Sequence, residues 1–315
     1  MASDFFLKGT LFETVKNGGS IMDLIKANLP YLLAGISVGG QYALIAIGYT
    51  MVYGILRLIN FAHGEIFMSA GFMLVYLSAT LPLYLSIPFV IIATVLMGFI
   101  IERVAYKPLR TAPRMSIMIS AIGVSYLIQN FAWYFTSGLA KQYPTIPWIS
   151  DSIKISTSTT KLVTIITPLL TIVLVAGLVL LIKHTKIGMA MRAVSRDFET
   201  SQLMGIKINS VISSTFIIGS FLAAIASLLY FANYTTVTPI AGAMPGLKAF
   251  VAAVFGGIGS IPGAVVGAFI IGICENIIKG SGWSTFSDAF TFALLIIILV
   301  AKPTGLFGEK SIDKV

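Results

Sequence analysis

The chain has 315 residues, of which 57% are hydrophobic and only 10% charged, and its formal net charge is +9. Its mean hydropathy of +0.94 is too high for a soluble domain with a polar surface, so the composition indicates a polytopic membrane protein. The apolar segments leave no stretch long enough for a soluble catalytic domain, a nucleotide-binding fold or a nucleic-acid module. We therefore expect no nucleic-acid partner, and the positive charge is typical of cytoplasmic loops.

The first element in chain order is an amphipathic segment at residues 1–28. Its apolar side carries Phe5, Phe6, Leu11, Phe12 and Val15. This pattern favours a helix that lies on the membrane surface as an anchor, and a contact with a sister subunit is the alternative.

Eight apolar segments follow and occupy most of residues 29–302. A transmembrane helix needs roughly 20 mostly apolar residues. The candidates lie near 29–54, 61–80, 84–101, 115–136, 162–182, 210–232, 262–280 and 286–301. We predict an all-α integral membrane protein with one transmembrane domain at 29–302 and a short tail at 303–315.

The charges of the connecting loops predict the orientation of these segments. The 102–115 connection carries four cations against Glu102, and the 183–209 loop carries five cations against Asp197 and Glu199, so each is +3. Lys and Arg mark cytoplasmic loops. We place both connections and the lysine-containing tail in the cytoplasm, and the 137–161 and 233–245 loops on the outer face.

This orientation requires an extra turn of the chain before residue 262. With only two further spans, the tail would end on the outer face. A half-helix at 247–255 that enters from the outer face, followed by a turn at the glycine-rich run 256–263, returns the tail to the cytoplasm. Irregular backbone at membrane depth is tolerated where it lines a cavity, which makes a re-entrant element near 247–263 a candidate for a transport path. The spacing of Gly259, Gly263 and Gly267 indicates close helix packing, within the chain, at a subunit interface or along a pore wall.

Few polar residues lie at membrane depth. Within the apolar segments they are Gln41, Asn60, His63, Glu65, Gln129, Asn130, Glu275 and Asn276. Such residues usually face protein, water or a pathway, so His63 and Glu65 can belong either to a packing network or to a pathway lining. The chain shows no carboxylate pair, metal-ligand cluster or nucleophile with a base. We predict no catalytic site, no metal site and no cofactor bound by this chain.

The charged loop 183–209 reads as an amphipathic helix between two membrane spans. Ile187, Met191, Val194 and Phe198 recur at helical spacing, and glycines at 188 and 205 punctuate a helix of about four turns. Such a helix suits docking in a groove of another protein, and a solvated interfacial helix is the alternative.

Several motifs now point to one family. The run GMAMRAVSRDFETSQLMGI from Gly188 resembles the cytoplasmic loop of permeases in binding-protein-dependent ABC importers. The runs INFAHGEIFMSAGF from Ile59, GLKAFVAAVFGGIGSIPGAVVGAF from Gly246 and KPTGLFG from Lys302 resemble the high-affinity branched-chain amino-acid permease family, and specifically its H-type (Liv) subunit. The resemblance covers residue 29 to the end of the chain.

The resemblance implies roles for individual residues. It implies ATPase coupling for Gly188, Arg192, Arg196, Asp197, Glu199 and Gly205. It implies a translocation pathway around Asn60, His63, Glu65, Gly256, Gly257, Gly259 and Gly263.

The resemblance also implies an assembly and a mechanism. The partners would be a homologous second permease subunit, two cytoplasmic ABC ATPases that hydrolyse ATP, and an extracytoplasmic solute-binding protein, all at the bacterial inner membrane. The implied function is ATP-driven import of Leu, Ile and Val by alternating access. Urea, amides or other amino acids are alternative cargoes, and an ion-coupled secondary transporter is the competing class.

Overall fold

The computed structural model describes residues 21–110, 112–147, 149–155 and 158–308. Most of the predicted amphipathic segment, residues 1–20, lies outside this part of the chain, as do residues 309–315 of the predicted tail. The first helix is already present at Ile21, eight residues before the predicted start of the membrane domain.

The described chain is built almost entirely from helices. Their bounds are α1 Ile21–Leu56, α2 His63–Ser78, α3 Leu83–Ile101, α4 Arg114–Thr136, α5 Leu162–His184, α6 Lys186–Arg196, α7 Phe198–Leu203, α8 Ile208–Asn233, α9 Ala243–Gly256, α10 Ile261–Gly280 and α11 Ser287–Ala301. A π-helical turn, Glu102–Tyr106, and a 3-10 turn, Lys107–Leu109, extend α3, and a second 3-10 turn, Ser284–Phe286, precedes α11.

Seven of the described helices are long and apolar enough to cross a membrane. Seven of the eight predicted segments correspond to them, and the eighth, near 61–80, is the shorter α2. At about 1.5 Å per residue, α2 with 16 residues and α9 with 14 residues extend over about 24 Å and 21 Å, less than the ~30 Å hydrocarbon core. The predicted all-α membrane architecture is confirmed. α11 reaches spanning length together with the 3-10 turn that precedes it, whereas α2 and α9 are too short to span.

Helix α1 is the centre of the bundle and packs against α5, α8, α9 and α10. Its closest neighbour is α10, because small residues remove the side chains between the two backbones. A Cβ added at Gly272 would lie 2.4 Å from the backbone nitrogen of Gly39, and one at Gly35 would lie 2.8 Å from the Cα of Ile273. Neither position can hold a larger residue without moving a helix.

The two ends of the bundle differ in charge and structure. At one end, strand β1 (Lys141–Gln142) pairs antiparallel with β4 (Thr236–Val237), and β2 (Ser152–Ile155) pairs with β3 (Ser158–Lys161). We name this the hairpin end. At the other, which we name the basic end, Arg110 hydrogen-bonds Asn209 and Arg57 hydrogen-bonds the Ser195 carbonyl. The loops that the charge count assigned to one face therefore lie together, as do those assigned to the opposite face.

The predicted break after the half-helix is present, at Gly257–Ser260 between α9 and α10. Gly257 has a φ of +109°, which a residue with a side chain adopts only with strain. The Ser260 hydroxyl then caps α10 by accepting from the Gly263 N–H at 3.3 Å.

The position of this turn differs from the expectation in one respect. It lies at the basic end, where the Leu306 N–H donates to the Phe255 carbonyl at 3.0 Å. The returning helix α10 has 20 residues and spans the bundle, in agreement with the apolar segment predicted at 262–280. Gly267 packs on the Ala252 carbonyl, so the glycine row serves packing within the chain.

We expect Gly272→Ala to destabilise the fold. Its Cβ would meet the backbone of α1, and overpacking of this kind costs about 1–3 kcal/mol. Gly177→Ala is the matched control, because a Cβ at Gly177 meets nothing within 4 Å. Thermal unfolding of the purified protein in detergent should show a lower Tm for the first variant alone, and equal Tm values would contradict the α1–α10 packing.

We also expect the basic end to face the cytoplasm. In a Cys274→Ser background, Arg196→Cys should resist an impermeant maleimide in intact cells, whereas Lys154→Cys at the hairpin end should react. Both side chains are exposed in the structure, so a difference in reactivity reports the side of the membrane. Labelling of the residue 196 variant from outside would reverse the orientation.

Candidate functional site

The amino-terminal ends of the two short helices meet inside the bundle. A Cβ at Gly242 would lie 2.2 Å from the Gly64 carbonyl oxygen, and one at Gly246 would lie 3.0 Å from the Gly64 Cα. This approach is possible only between glycines. Because a helix N-terminus carries partial positive charge, α2 and α9 both direct such charge to one place. Broken helices with this arrangement form binding sites in transporters.

Glu65 lies in the first turn of α2, next to this contact. Its side chain is 2% exposed. Oε1 accepts a hydrogen bond from Gln129 Nε2 at 2.7 Å, and the Ser125 hydroxyl lies at 3.5 Å. Oε2 has no hydrogen-bond partner within the described part of the chain. The buried carboxylate is therefore only half satisfied.

A cavity of about 280 Å³ opens between α2, α4 and α9 beside Glu65. Its polar lining includes Glu65, Ser125 and Gln129, and its apolar lining includes Ile122, Leu247 and Phe250. Gly64, Gly242 and Gly246 also line it, so both helix N-termini reach the cavity. It is close in size to the smaller pockets that hold small molecules, which begin at roughly 300 Å³.

The other two polar residues of the predicted pathway point away from this cavity. The His63 ring packs on Gly48 of α1 and Gly219 of α8, and makes an edge contact with Tyr49 at 5.0 Å between ring centroids. Asn60 Oδ1 accepts from the Tyr106 hydroxyl at 2.7 Å. These residues hold the turn between α1 and α2 in place.

The glycine region of the predicted pathway is separate from the cavity. Gly256 and Gly263 pack against each other, and a Cβ at Gly257 would meet the backbone of Gly308. A Cβ at Gly259 would meet nothing within 4 Å. The structure thus brings Glu65 together with Gly64, Gly242 and Gly246, and places the 256–263 turn at the basic end, against the end of the chain.

A second buried polar cluster joins four helices. Lys248 Nζ lies 2.7 Å from Glu275 Oε1 and 2.6 Å from Asp288 Oδ1. Lys279 Nζ is 2.6 Å from the same Glu275 oxygen, and the Tyr42 hydroxyl donates to Oε2 at 3.1 Å. Every oxygen of Glu275 has a partner, so this cluster ties α1, α9, α10 and α11 together.

Sequence reasoning missed Lys248 and Asp288 as members of this cluster. The signal was present, because a lysine within the apolar run GLKAFVAAVFG is as costly at membrane depth as a carboxylate. Opposite charges buried in neighbouring helices are expected to pair. Ser125 gave no such signal, since a lone serine in an apolar helix is common.

The charged loop forms two short helices, and the predicted single helix of about four turns is wrong. Thr185 caps α6, accepting from the Gly188 N–H at 3.1 Å. The chain then breaks at Asp197, with φ −150° and ψ 106°, and the Asp197 carboxylate caps α7 by accepting from the Thr200 N–H at 3.0 Å. An N-capping Asp competes with continuation of the helix, which explains the break.

The predicted coupling residues divide between packing and exposure. Met191 and Val194 are buried, and a Cβ at Gly188 would overlap the backbone of Ile182. Arg192, Arg196, Asp197, Glu199 and Gly205 are exposed. On α7 and directly after it, Leu203 and Met204 are 87% and 79% exposed. Exposed apolar side chains beside charges are typical of a docking surface, and we name the exposed face of α6 and α7 the candidate docking surface.

A polar network connects this loop to the membrane helices. Glu102, in the π-helical turn, is fully buried; it pairs with Arg110 and accepts from the Ser213 hydroxyl at 2.8 Å. Arg110 also donates to Asn209 at the start of α8. Four residues after Glu102, Tyr106 bonds Asn60. The network therefore runs from α8 to the turn that precedes α2.

Within the described residues, no group of three His, Cys, Asp or Glu side chains could hold a metal ion. The candidate sites are thus the cavity at Glu65 and the docking surface of α6 and α7.

Comparison with known proteins gives one consistent result. The family model described as "branched-chain amino acid transport system / permease component" matches residues 31–299. The chain is 39% identical over 301 residues to the high-affinity branched-chain amino acid transport system permease protein BraD of Pseudomonas aeruginosa, covering 91% of this chain and 98% of the relative. It is 37% identical to the permease protein LivH of Escherichia coli K12, covering 91% and 97%.

More distant similarity reaches a permease with another cargo. The ribose import permease protein RbsC of Haemophilus influenzae is 26% identical over 278 residues, which cover 85% of this chain and 83% of the relative. No solved structure matches the chain.

We expect the Lys248–Glu275 pair to behave as a coupled unit. Lys248→Met or Glu275→Gln alone should cost roughly 2–4 kcal/mol, because each leaves charge buried with fewer partners. The double variant should cost clearly less than the sum, since it removes both members of the pair and the remaining Lys279 and Asp288 are 34% and 42% exposed. Thermal unfolding of the four proteins measures this, and additive effects would contradict the pairing.

Proposed function

The chain belongs to the family of permease components of branched-chain amino acid transport systems, and we propose that it is the membrane subunit of an ATP-driven importer for Leu, Ile and Val. The observation that carries the proposal is the family match over nearly the whole membrane bundle. The family consists of membrane permeases and not of enzymes, so this multi-pass protein works by moving a solute and not by transforming it.

The proposed assembly rests on the family to which the chain belongs. We propose that a second, homologous permease completes the passage, that two ABC ATPases bind at the basic end and hydrolyse ATP, and that an extracytoplasmic binding protein delivers solute to the hairpin end. The basic end then faces the cytoplasm of the bacterial inner membrane, as its lysines and arginines favour. This chain itself would bind no cofactor.

The docking surface supports the coupling role. α6 packs on the bundle through Met191 and Val194. A partner that displaces α6 from its exposed side would therefore also displace the helices beneath it. Leu203 and Met204 offer apolar contact area, and Arg192 and Arg196 offer charge. A helix pair with this composition fits a groove on a partner. Closure of the ATPases on ATP would move α6 and α7, and with them α8.

Ion-coupled secondary transport is the weaker hypothesis. It would need membrane carboxylates that are free to exchange a proton or a cation. Glu275 is bonded to Lys248, Lys279 and Tyr42, which leaves Glu65 as a partly free candidate. Uptake into vesicles that contain the assembled transporter should require internal ATP and should persist when ion gradients are collapsed. Uptake of leucine without ATP would overturn the importer proposal.

The cargo is tested by competition. Uptake of labelled leucine should be inhibited by isoleucine and valine, and urea, acetamide and ribose should not inhibit it. The names of the relatives with 37–39% identity support this cargo, whereas the ribose permease is more distant.

We expect Arg192→Glu with Arg196→Glu to abolish uptake and to weaken ATPase co-purification. A misplaced charge in a docked interface costs about 2–5 kcal/mol. Lys141→Glu with Lys154→Glu, at the hairpin end, is the control with the same change in net charge and should retain the ATPases. Membrane insertion should be normal in both. Undiminished ATPase co-purification by the first variant would remove α6 from the coupling role.

A further inference from the structure

The cavity between α2, α4 and α9 combines features that a passage for any small solute would not need. A passage that only excludes lipid needs no ionisable group, and a carboxylate at membrane depth costs about 2.5–3.5 kcal/mol on insertion scales. Here Glu65 is almost fully buried, lines the cavity and leaves Oε2 without a partner in the described part of the chain. A buried carboxylate in this position is suited to bind a ligand.

The surroundings of Glu65 offset part of the cost of burying an ionised carboxylate. The residue lies in the first turn of α2, and the N-terminus of α9 meets α2 at Gly64. Two helix N-termini stabilise a nearby negative charge. Gln129 donates to Oε1. No lysine or arginine forms an ion pair with Glu65 within the described residues, because Lys248 is bonded to Glu275 and Asp288.

An anionic carboxylate with one free oxygen accepts a cationic hydrogen-bond donor, and an ammonium group is such a donor. The apolar part of the lining decides which chemical group the ammonium carries. Ile122, Leu247 and Phe250 form an aliphatic and aromatic surface, which favours a branched hydrocarbon. The α9 N-terminus, also in the lining, provides partial positive charge that suits a carboxylate.

We propose that this cavity is a transit site for a free α-amino acid inside the membrane, with the substrate ammonium on Glu65, its side chain against Leu247 and Phe250, and its carboxylate towards the N-terminus of α9. The inference rests on the proposed function and extends it, because it gives the permease its own recognition of the amino-acid group. A release step requires that this binding be weak.

The test uses a photoreactive leucine that carries a diazirine in its side chain. The assembled transporter in proteoliposomes is irradiated with this probe, and labelled peptides are mapped by mass spectrometry. We expect labelling within residues 119–130 and 243–256. Leucine should suppress it, and 4-methylpentanoate, which has the same side chain and carboxylate without the ammonium, should not.

Glu65→Gln should lower this labelling by about tenfold or more, as expected when a charge-assisted hydrogen bond is lost. Asp151→Asn, at an exposed loop position of the hairpin end, removes a carboxylate elsewhere and should label like the wild type. Leu247→Trp fills the cavity while retaining Glu65 and should also reduce labelling. Complex yield and gel-filtration profile are compared for every variant.

The outcomes separate the two proposals. If the wild type imports leucine with ATP but labels elsewhere, or labels equally after both Glu65→Gln and Leu247→Trp, the transit site is wrong and the importer proposal stands. Equal competition by 4-methylpentanoate and leucine would also overturn the ammonium site. If the wild type imports no branched-chain amino acid, the proposed function fails on its own.

Discussion

The contact between Gly64 and the pair Gly242 and Gly246 is the constraint on which the rest of the structure depends. Neither α2 nor α9 is long enough to cross the hydrocarbon core, so each enters the bundle through non-helical chain. That chain is stable only where other protein covers it. Backbone contact between glycines supplies the cover and brings two helix N-termini together. A single Cβ at Gly242 would meet a carbonyl oxygen and separate them.

This contact is connected to the docking surface through a short series of residues. α8 begins five residues after α7 ends, and Asn209 and Ser213 on α8 bond Arg110 and Glu102. Glu102 lies in the π-helical turn that also carries Tyr106, which bonds Asn60 just before α2. π-helical turns are frequent at functional sites. A displacement of the loop by the proposed ATPase would therefore reach the groups that hold the start of α2.

Sequence patterns predicted the architecture better than the sites. Apolar length identified the spanning helices, and loop charge grouped the connections correctly, because both depend on composition over many residues. Glycine and proline predicted the break after Gly256. They did not predict its depth in the membrane, because the sequence of α10 is equally compatible with a start inside the bundle and a start at its end. The loop helix was placed correctly, but the break at Asp197 was missed, because the apolar stripe continues through it to Phe198. Contacts such as Lys248 with Asp288 depend on which helices are neighbours, and single-sequence periodicity does not contain that information.

Two of the buried carboxylates, Glu275 and Glu65, illustrate how hydrogen bonding separates a structural role from a transport role. Glu275 holds two ammonium groups and a hydroxyl, so admitting a ligand would require breaking ion pairs inside the membrane. Glu65 has one oxygen without a partner in the described part of the chain, beside a cavity, so a bound ammonium would add a hydrogen bond without breaking an ion pair. Because the helix N-termini already stabilise its charge, the ligand need not provide the whole compensation. Binding there is consequently modest, which is the condition for a site that must release its ligand in each cycle.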